Sequence, residues 1–442
     1  MAKRDQFASK IGFILAAAGS AIGLGAIWKF PYMAGSNGGS VFIFLFILCT
    51  LLIGLPILIA EFMIGRRGQA DAVTGMKKQA PGTPWFITGW LGFIFSAIIL
   101  SFYSVVGGWI LIYIWKSVTF SFTSDDPNVY TQIFTDITAN PWEAVIAQAL
   151  FMMLTIGIIS GGIQKGIERA SKFMMPLLFI FFIILAIRSL TLDGSVDGLK
   201  FMFVPDWSAF NGETLLVALG MAFFALSVGV AAMMTYASYL DKSVNLVSSA
   251  VNVGWMNIGI SILAGLVIFP AVFSLGFEPS SGPGLVFIIL PAVFQQIPLG
   301  SIWMIIFFVL LLFATVTSAI AMLEIVVATA MGPKTEKRTK YAWLCGLGIF
   351  IVGIPSALSF GKLSDVTIMG KSIFDFADFI TSNVGMPIGA LLVSIFAGYK
   401  LTKKDQLEQL NVAPWLLTTW RILVRYVAPI AIVIVFIQGI RG

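Results

Sequence analysis

Residues 19–25 read Gly19-Ser20-Ala21-Ile22-Gly23-Leu24-Gly25, three glycines and a serine set in the middle of an apolar run covering 11–34. About 20 apolar residues at 1.5 Å rise each cross a bilayer as one helix. Glycine is the residue that most weakens a helix interior, short of proline. A dense small-residue stretch at mid-depth therefore predicts a helix that comes apart inside the membrane. Orphaned backbone groups in lipid cost on the order of several kcal/mol each, so such a break persists only where it lines a cavity. A second apolar run, 214–240, carries Phe224-Ala225-Leu226-Ser227-Val228-Gly229-Val230 at the corresponding depth. Close helix packing is the bland alternative for the first stretch, since Gly19 and Gly23 are four residues apart. A nucleotide loop fits poorly, because no strand precedes it and the G-x-G-x-x-G spacing is missing. Residues Ala314-Thr315-Val316-Thr317-Ser318, hydroxyls clustered in the apolar run 300–331, tip the balance towards a cavity.

The rest of the chain supports a membrane setting. Its 442 residues are 58% hydrophobic and only 11% charged, with mean hydropathy +0.96. Soluble domains hold roughly a quarter of their residues as charges. About eleven spans follow from the apolar runs: 11–34, 41–64, 87–116, 143–161, 166–190, 214–240, 245–275, 300–331, 340–357, 372–398 and 415–440. The segment 284–297 is apolar but short and contains Pro291, which predicts a re-entrant or capping hairpin between spans seven and eight. Lys3, Arg4 and Lys10 ahead of the apolar residues 11–18 resemble a secretory signal, yet the segment leads on to ten further spans.

Charge is distributed in the same sense. Arg66, Arg67, Lys77, Lys78, Lys165, Arg169, Lys172, Lys242, Lys334, Lys337, Arg338, Lys340, Lys400, Lys403 and Lys404 fall on the side of the N-terminus, whereas the opposite loops hold Asp125, Asp126, Asp193, Asp197 and Glu278. The expectation is a cytoplasmic N-terminus in a cell inner membrane, and with eleven spans an outside C-terminus. The +6 net charge is spread over these short loops, so nucleic acid is not the expected partner. Cys49 and Cys345 both lie within apolar runs, which argues against a disulfide framework. There is no histidine, and with it go the commonest proton shuttle, the commonest metal ligand and the Ser-His type of catalytic site. An enzyme is not expected. A channel is disfavoured because no filter loop or ring of charges is visible.

The stretch from Ile11 to Gly25, continued by Trp28-Lys29-Phe30-Pro31-Tyr32 and Asn37-Gly38-Gly39, resembles the neurotransmitter:sodium symporter family. So do Gly166-Ile167-Glu168-Arg169, Thr235-Tyr236-Ala237-Ser238-Tyr239 and Thr317-Ser318. The likeness covers nearly the whole chain and is nearest to bacterial amino-acid members with eleven spans. It implies an all-α membrane protein made of two inverted five-helix repeats with helices 1 and 6 broken. The expected division is 1–200 for spans one to five, 201–398 for spans six to ten, and 399–442 for a loop and span eleven.

The resemblance also implies a site. Sodium in the family's second position would meet the carbonyls of Gly19, Ile22 and Ala314 and the hydroxyls of Thr317 and Ser318. The alternative for the two hydroxyls is bonding back to their own helix. The family's first sodium position is degraded, because Ala26 and Ala225 replace side-chain ligands and only Ala21, Asn257 and backbone oxygen remain. Its chloride position is degraded too, with Phe46, Met221 and Ala225 in place of polar groups and Ser261 left over. One sodium and no chloride requirement are the expectation, with Na+ the cofactor and no organic one.

An amino acid is the expected cargo, and the lipid bilayer the other partner. Gly23 would leave room for its carboxylate, which would meet the N–H groups of Leu24 and Gly25 and the Tyr103 hydroxyl. The remaining subsite would be Ala21, Ile99, Phe224, Ser227, Val230, Ser318 and Met322. No charge lies among them, so a hydrophobic or aromatic side chain fits best. Val230, standing where leucine-selective relatives carry Phe, enlarges the space. Lys29 and Asp378 match the outer gate, with Phe224 and Tyr103 as its lid. Arg4 and Phe7 match the inner gate, although Gly332 replaces its acidic partner. Glu61 and Glu324 are expected to tie helices together. Gly166 and Pro176 weaken span five at the Gly-x9-Pro spacing that permits local unwinding in relatives. A transporter-fold amino-acid sensor, or a symporter for another small zwitterion, is the alternative reading. The sequence is silent on oligomeric state.

Overall fold

The computed structural model describes residues 5–276, 284–332 and 335–441. Apart from one two-stranded hairpin, Thr367–Ile368 with Lys371–Ser372, its regular structure is helical. Nine described helices are long and apolar enough to cross a membrane: Ser40–Gly68, Phe86–Val118, Pro141–Ser160, Ile163–Leu190, Leu246–Ser274, Gly300–Met331, Arg338–Leu358, Ile373–Lys400 and Pro414–Arg441. These are spans two to five and seven to eleven. The bent pair Lys10–Ala21 and Gly25–Ser36 is span one, with a 53° angle at its break. The apolar helix Gly212–Ala225, followed by unwound residues and the short helix Ala232–Ala237, is span six. The count of eleven and both broken helices thus agree with the sequence.

The breaks are shorter and slightly displaced from the small-residue runs. Helix one holds through Ala21, Ile22 leaves it at φ −87° and ψ 72°, and a π-helical turn begins at Gly25. Gly19 stays helical. Its lack of a side chain admits span eight, since a Cβ there would lie 2.9 Å from Thr317 Cβ. In span six, Phe224 and Ala225 remain helical, and the unwound stretch is 226–231. Ser227, Gly229 and Ala231 there all have positive φ, at 51°, 91° and 61°.

Glu61 of span two holds this stretch in place. The carboxylate is fully buried and accepts the Gly229 N–H at 2.7 Å and the Met234 N–H at 3.3 Å. Glu324 bonds Arg338 and Tyr239, joining spans eight, nine and six. Both acidic residues therefore tie helices, as expected. On the same side, Arg66 donates to Gln409 and the Val244 carbonyl, and Arg67 pairs with Asp405 at 2.9 Å. These bonds fasten the short helix Lys403–Leu410 beneath span two.

Segment Leu285–Gln295 is a buried helix lying between spans seven and eight. Pro291 does not interrupt it. The proline follows the π-helical turn Leu285–Ile289, and the carbonyl four residues back, that of Phe287, is taken up by a side chain. Phe287 packs edge-on to Trp28 and stacks on Phe134, and its carbonyl accepts the Tyr113 hydroxyl at 2.8 Å. The segment caps the bundle. Several spans also contain π-helical turns: Thr50–Gly54, Ile163–Glu168, Ile380–Gly385, Phe396–Lys400 and Leu423–Val427. The turn in span five contains Gly166, whose missing Cβ leaves room for the Ile158 carbonyl.

Candidate functional site

The two breaks meet across a cavity closed by spans three, eight and ten. All eleven residues expected to line it, from Ala21 to Met322, do line it. Ser20, Phe102, Ala232, Ser382 and Met386 complete the wall and were not anticipated.

One end of the cavity is polar. The Leu24 N–H donates to the Tyr103 hydroxyl at 3.2 Å. Gly23 leaves the space beside it free, because a Cβ there would lie 2.8 Å from the Tyr103 oxygen and would run into Ser318. Ser227 donates to the Ser20 carbonyl at 2.9 Å, and Ser318 donates to the carbonyls of Gly19 at 3.2 Å and Ser20 at 3.1 Å. The other end is apolar, with Val230, Ala232, Ile325 and Met386 packed against Phe95, Ile99 and Phe224.

Beneath the polar end, Gly19 of span one touches Thr317 of span eight. The Thr317 hydroxyl donates to the Phe313 and Ala314 carbonyls at 3.0 Å each. Gly19, Ala314, Thr317 and Ser318 are therefore together, with Ile22 at the point where helix one stops. Asn257 of span seven faces the other side of the junction. Its Nδ2 donates to the Ala225 carbonyl at 2.8 Å and the Ala21 carbonyl at 3.3 Å. Ser261 is turned inward on its own helix, donating to the Asn257 carbonyl at 3.0 Å.

A vestibule lies above the cavity, lined by Trp28, Lys29, Tyr32, Tyr103, Phe224 and Asp378 among others. Lys29 and Asp378 both face it, but no ion pair joins them among the described residues. The Lys29 ammonium sits 4.3 Å over the Phe224 ring, a cation–π contact, and Asp378 accepts the Ser382 hydroxyl at 2.7 Å. Lys29 thus engages the lid residue Phe224, while Asp378 engages Ser382. Arg4 lies outside the described residues. Phe7 packs edge-on against Tyr236 and Tyr239 on the basic side.

Comparison with known proteins accounts for this arrangement. The profile of the Sodium:neurotransmitter symporter family matches residues 4–136 and 129–441. The chain belongs to that family. Among its relatives, a sodium-dependent transporter of Bacillus subtilis (strain 168) is 51% identical over 440 residues, covering 99% of this chain and 98% of the relative. One from Haemophilus influenzae is 36% identical over 456 residues, with 99% and 98% covered. The crystal structure of MhsT in complex with L-phenylalanine superposes with TM-score 0.92 at 46% identity, covering 99% of this chain and 100% of MhsT. As a symporter of this family the protein is a sodium-dependent, multi-pass membrane transporter, and the family is one of carriers and not of enzymes.

Two of the unanticipated wall residues of this symporter carried a signal after all. Ser382 and Met386 stand four and eight residues beyond Asp378, so a helical reading of span ten places all three on one face. Ser20 and Phe102 are sequence neighbours of residues already singled out. Ala232 offered no signal, since a lone alanine after a break has no distinctive chemistry.

Proposed function

We propose that this symporter carries hydrophobic amino acids, aromatic ones included, into the cell together with one sodium ion and without chloride. The observation that carries this reading is the cavity between the two breaks, polar at one end and apolar at the other, with no charged side chain among its lining residues. An unpaired charge buried there would cost on the order of several kcal/mol, whereas an apolar side chain gains about 1.5–3 kcal/mol from burial. The ligand of MhsT, L-phenylalanine, fits the same description.

In this reading the substrate carboxylate takes the Leu24 and Gly25 N–H groups at the start of the half-helix Gly25–Ser36, where the helix dipole favours an anion. The Tyr103 hydroxyl then donates to the carboxylate instead of accepting from Leu24. The ammonium meets the carbonyls around Phe224–Ser227. Sodium, a hard cation that prefers oxygen, sits among Gly19, Ile22, Ala314, Thr317 and Ser318. Single-ion coupling is supported by Ala26 and Ala225, which offer no side-chain oxygen. Chloride independence is supported by Phe46, Met221 and the inward-turned Ser261. Alternating access would move spans one to five (1–200) against spans six to ten (201–398), with 399–442 outside the repeat pair. Lys29 and Asp378 would approach over the substrate, and Arg4 would serve the inner gate. The basic loops support a cytoplasmic N-terminus in the inner membrane.

Uptake of L-[³H]phenylalanine into proteoliposomes tests this. Accumulation should require an inward sodium gradient, show a Hill coefficient for sodium of about one, and persist when gluconate replaces chloride. Sodium-stimulated binding without uptake would turn the reading into a sensor. Uptake of only polar or charged amino acids would remove it.

A further inference from the structure

Both broken spans end their first half on a carbonyl with nowhere to go. Ala21 is the last residue of Lys10–Ala21, and Ala225 is the last residue of Gly212–Ala225. The two half-helices run in from opposite membrane faces, so their C-terminal ends meet at the junction. Each end carries unsatisfied carbonyls and about half a negative charge. Two like poles brought together inside an apolar bundle repel, and something must supply positive character between them.

We propose that the Asn257 side-chain amide is that element: a neutral, tethered positioning group that links the broken ends of spans one and six in place of a cation. Its one nitrogen has two N–H groups, and they go to Ala225 and Ala21 at 2.8 Å and 3.3 Å. The residue is fully buried on span seven, which crosses both breaks. The opposite atom, Asn257 Oδ1, is buried with no hydrogen-bond partner among the described residues. Leaving a buried amide oxygen unpaired is destabilising. The amide tolerates that cost in order to aim both donors at the two carbonyls. The side chains nearest in sequence on the two broken helices, Ala26 and Ala225, add no oxygen that would compete.

The inference deepens the single-sodium reading above and predicts how the coupling can be altered. Asn257→Asp keeps the shape of the side chain but replaces the two donors with an anion facing two carbonyls, an arrangement that a cation relieves. In wild type, sodium titration of L-phenylalanine binding should give a Hill coefficient of about one. In Asn257→Asp it should rise towards two, with binding at low sodium reduced by about tenfold or more and recovered at high sodium. Asn257→Ala removes the link without creating a site. Its L-phenylalanine affinity should fall at all sodium concentrations while the Hill coefficient stays at about one.

Hydrogen exchange supplies a readout that does not depend on sodium coupling. In choline buffer, amides in 22–24 and 226–231 should exchange several-fold faster in both variants, and sodium should restore protection in Asn257→Asp only. A simple packing role would not produce rescue by an ion. A wild-type Hill coefficient near two that drops to one in Asn257→Ala would overturn the inference, because Asn257 would then be a cation ligand. So would unchanged exchange in Asn257→Ala. A wild type indifferent to sodium would instead overturn the proposed coupling, and the exchange comparison in choline would still decide the role of Asn257.

Discussion

Replacing Thr317 by valine separates the cation site from the fold. The side chain is buried, and its hydroxyl bonds only to the Phe313 and Ala314 carbonyls of its own helix. Those carbonyls belong to the helix ladder, so removing the hydroxyl orphans no donor, and valine keeps the shape that packs against Gly19. The folding cost is below about 1 kcal/mol, and the melting temperature in sodium-free buffer should move by less than about 3 °C. The sodium ion proposed above, in contrast, would lose one of two side-chain oxygens. A polar group facing a charge contributes about 1.5–3 kcal/mol, which corresponds to roughly 10- to 150-fold in sodium affinity. Titrating sodium against L-phenylalanine binding on purified protein reads this directly. Half-saturating sodium should rise by that factor, and binding at saturating sodium should approach wild type. An unchanged sodium midpoint would refute the assignment of Thr317, and a collapse of thermal stability would refute the claim that its hydroxyl is structurally dispensable.

Three further outcomes are expected. Gly23→Ala places a methyl 2.8 Å from the Tyr103 oxygen and against Ser318. Overpacking of about 1–3 kcal/mol should weaken amino-acid binding by roughly 5- to 150-fold, measured by isothermal titration at saturating sodium. Glu61→Gln removes one of two acceptors serving the Gly229 and Met234 N–H groups. The orphaned donor costs about 1–3 kcal/mol, so hydrogen exchange across 226–231 should accelerate more than in any other loop. On the basic side, the Thr402 hydroxyl and then its N–H, with Arg67, hold the Asp405 carboxyl below the usual carboxylate range. The depressed folded value means the stabilisation is complete above about pH 4 and fades as pH falls through that lower value. A spin label at the exposed Glu408 should therefore stay immobile from neutral pH down to about pH 4, loosen below it, and be loose throughout in Asp405→Asn.

How legible the molecule was depends on which physical rule wrote each feature. The spans were readable because lipid demands long apolar helices, and the error at most ends was one to three residues. The breaks were readable as regions but not to the residue. Small residues mark both a weak helix and a close approach, and Gly19 turned out to serve the second purpose. Ala231 at φ 61° could not have been read at all, since alanine carries no signal for a left-handed turn that Glu61 and the neighbouring spans impose. The cavity wall was legible where a resemblance pointed to positions, and Ser382 and Met386 were missed because span ten was searched only for its charge. The gate was read as a pair from the family resemblance. The structure instead spends the Lys29 charge on an aromatic face, a choice that depends on side-chain reach and not on sequence.

The π-helical turns in spans two, five, ten and eleven have a mechanical consequence. A turn with five residues' reach among turns of four stores one surplus residue as a ruck in the coil. Sliding that ruck one position along exchanges one hydrogen bond for another and rotates the residue it passes by about 100°. A carrier furnished with several such rucks can swivel individual side chains between its two faces without unfastening whole helices from their neighbours.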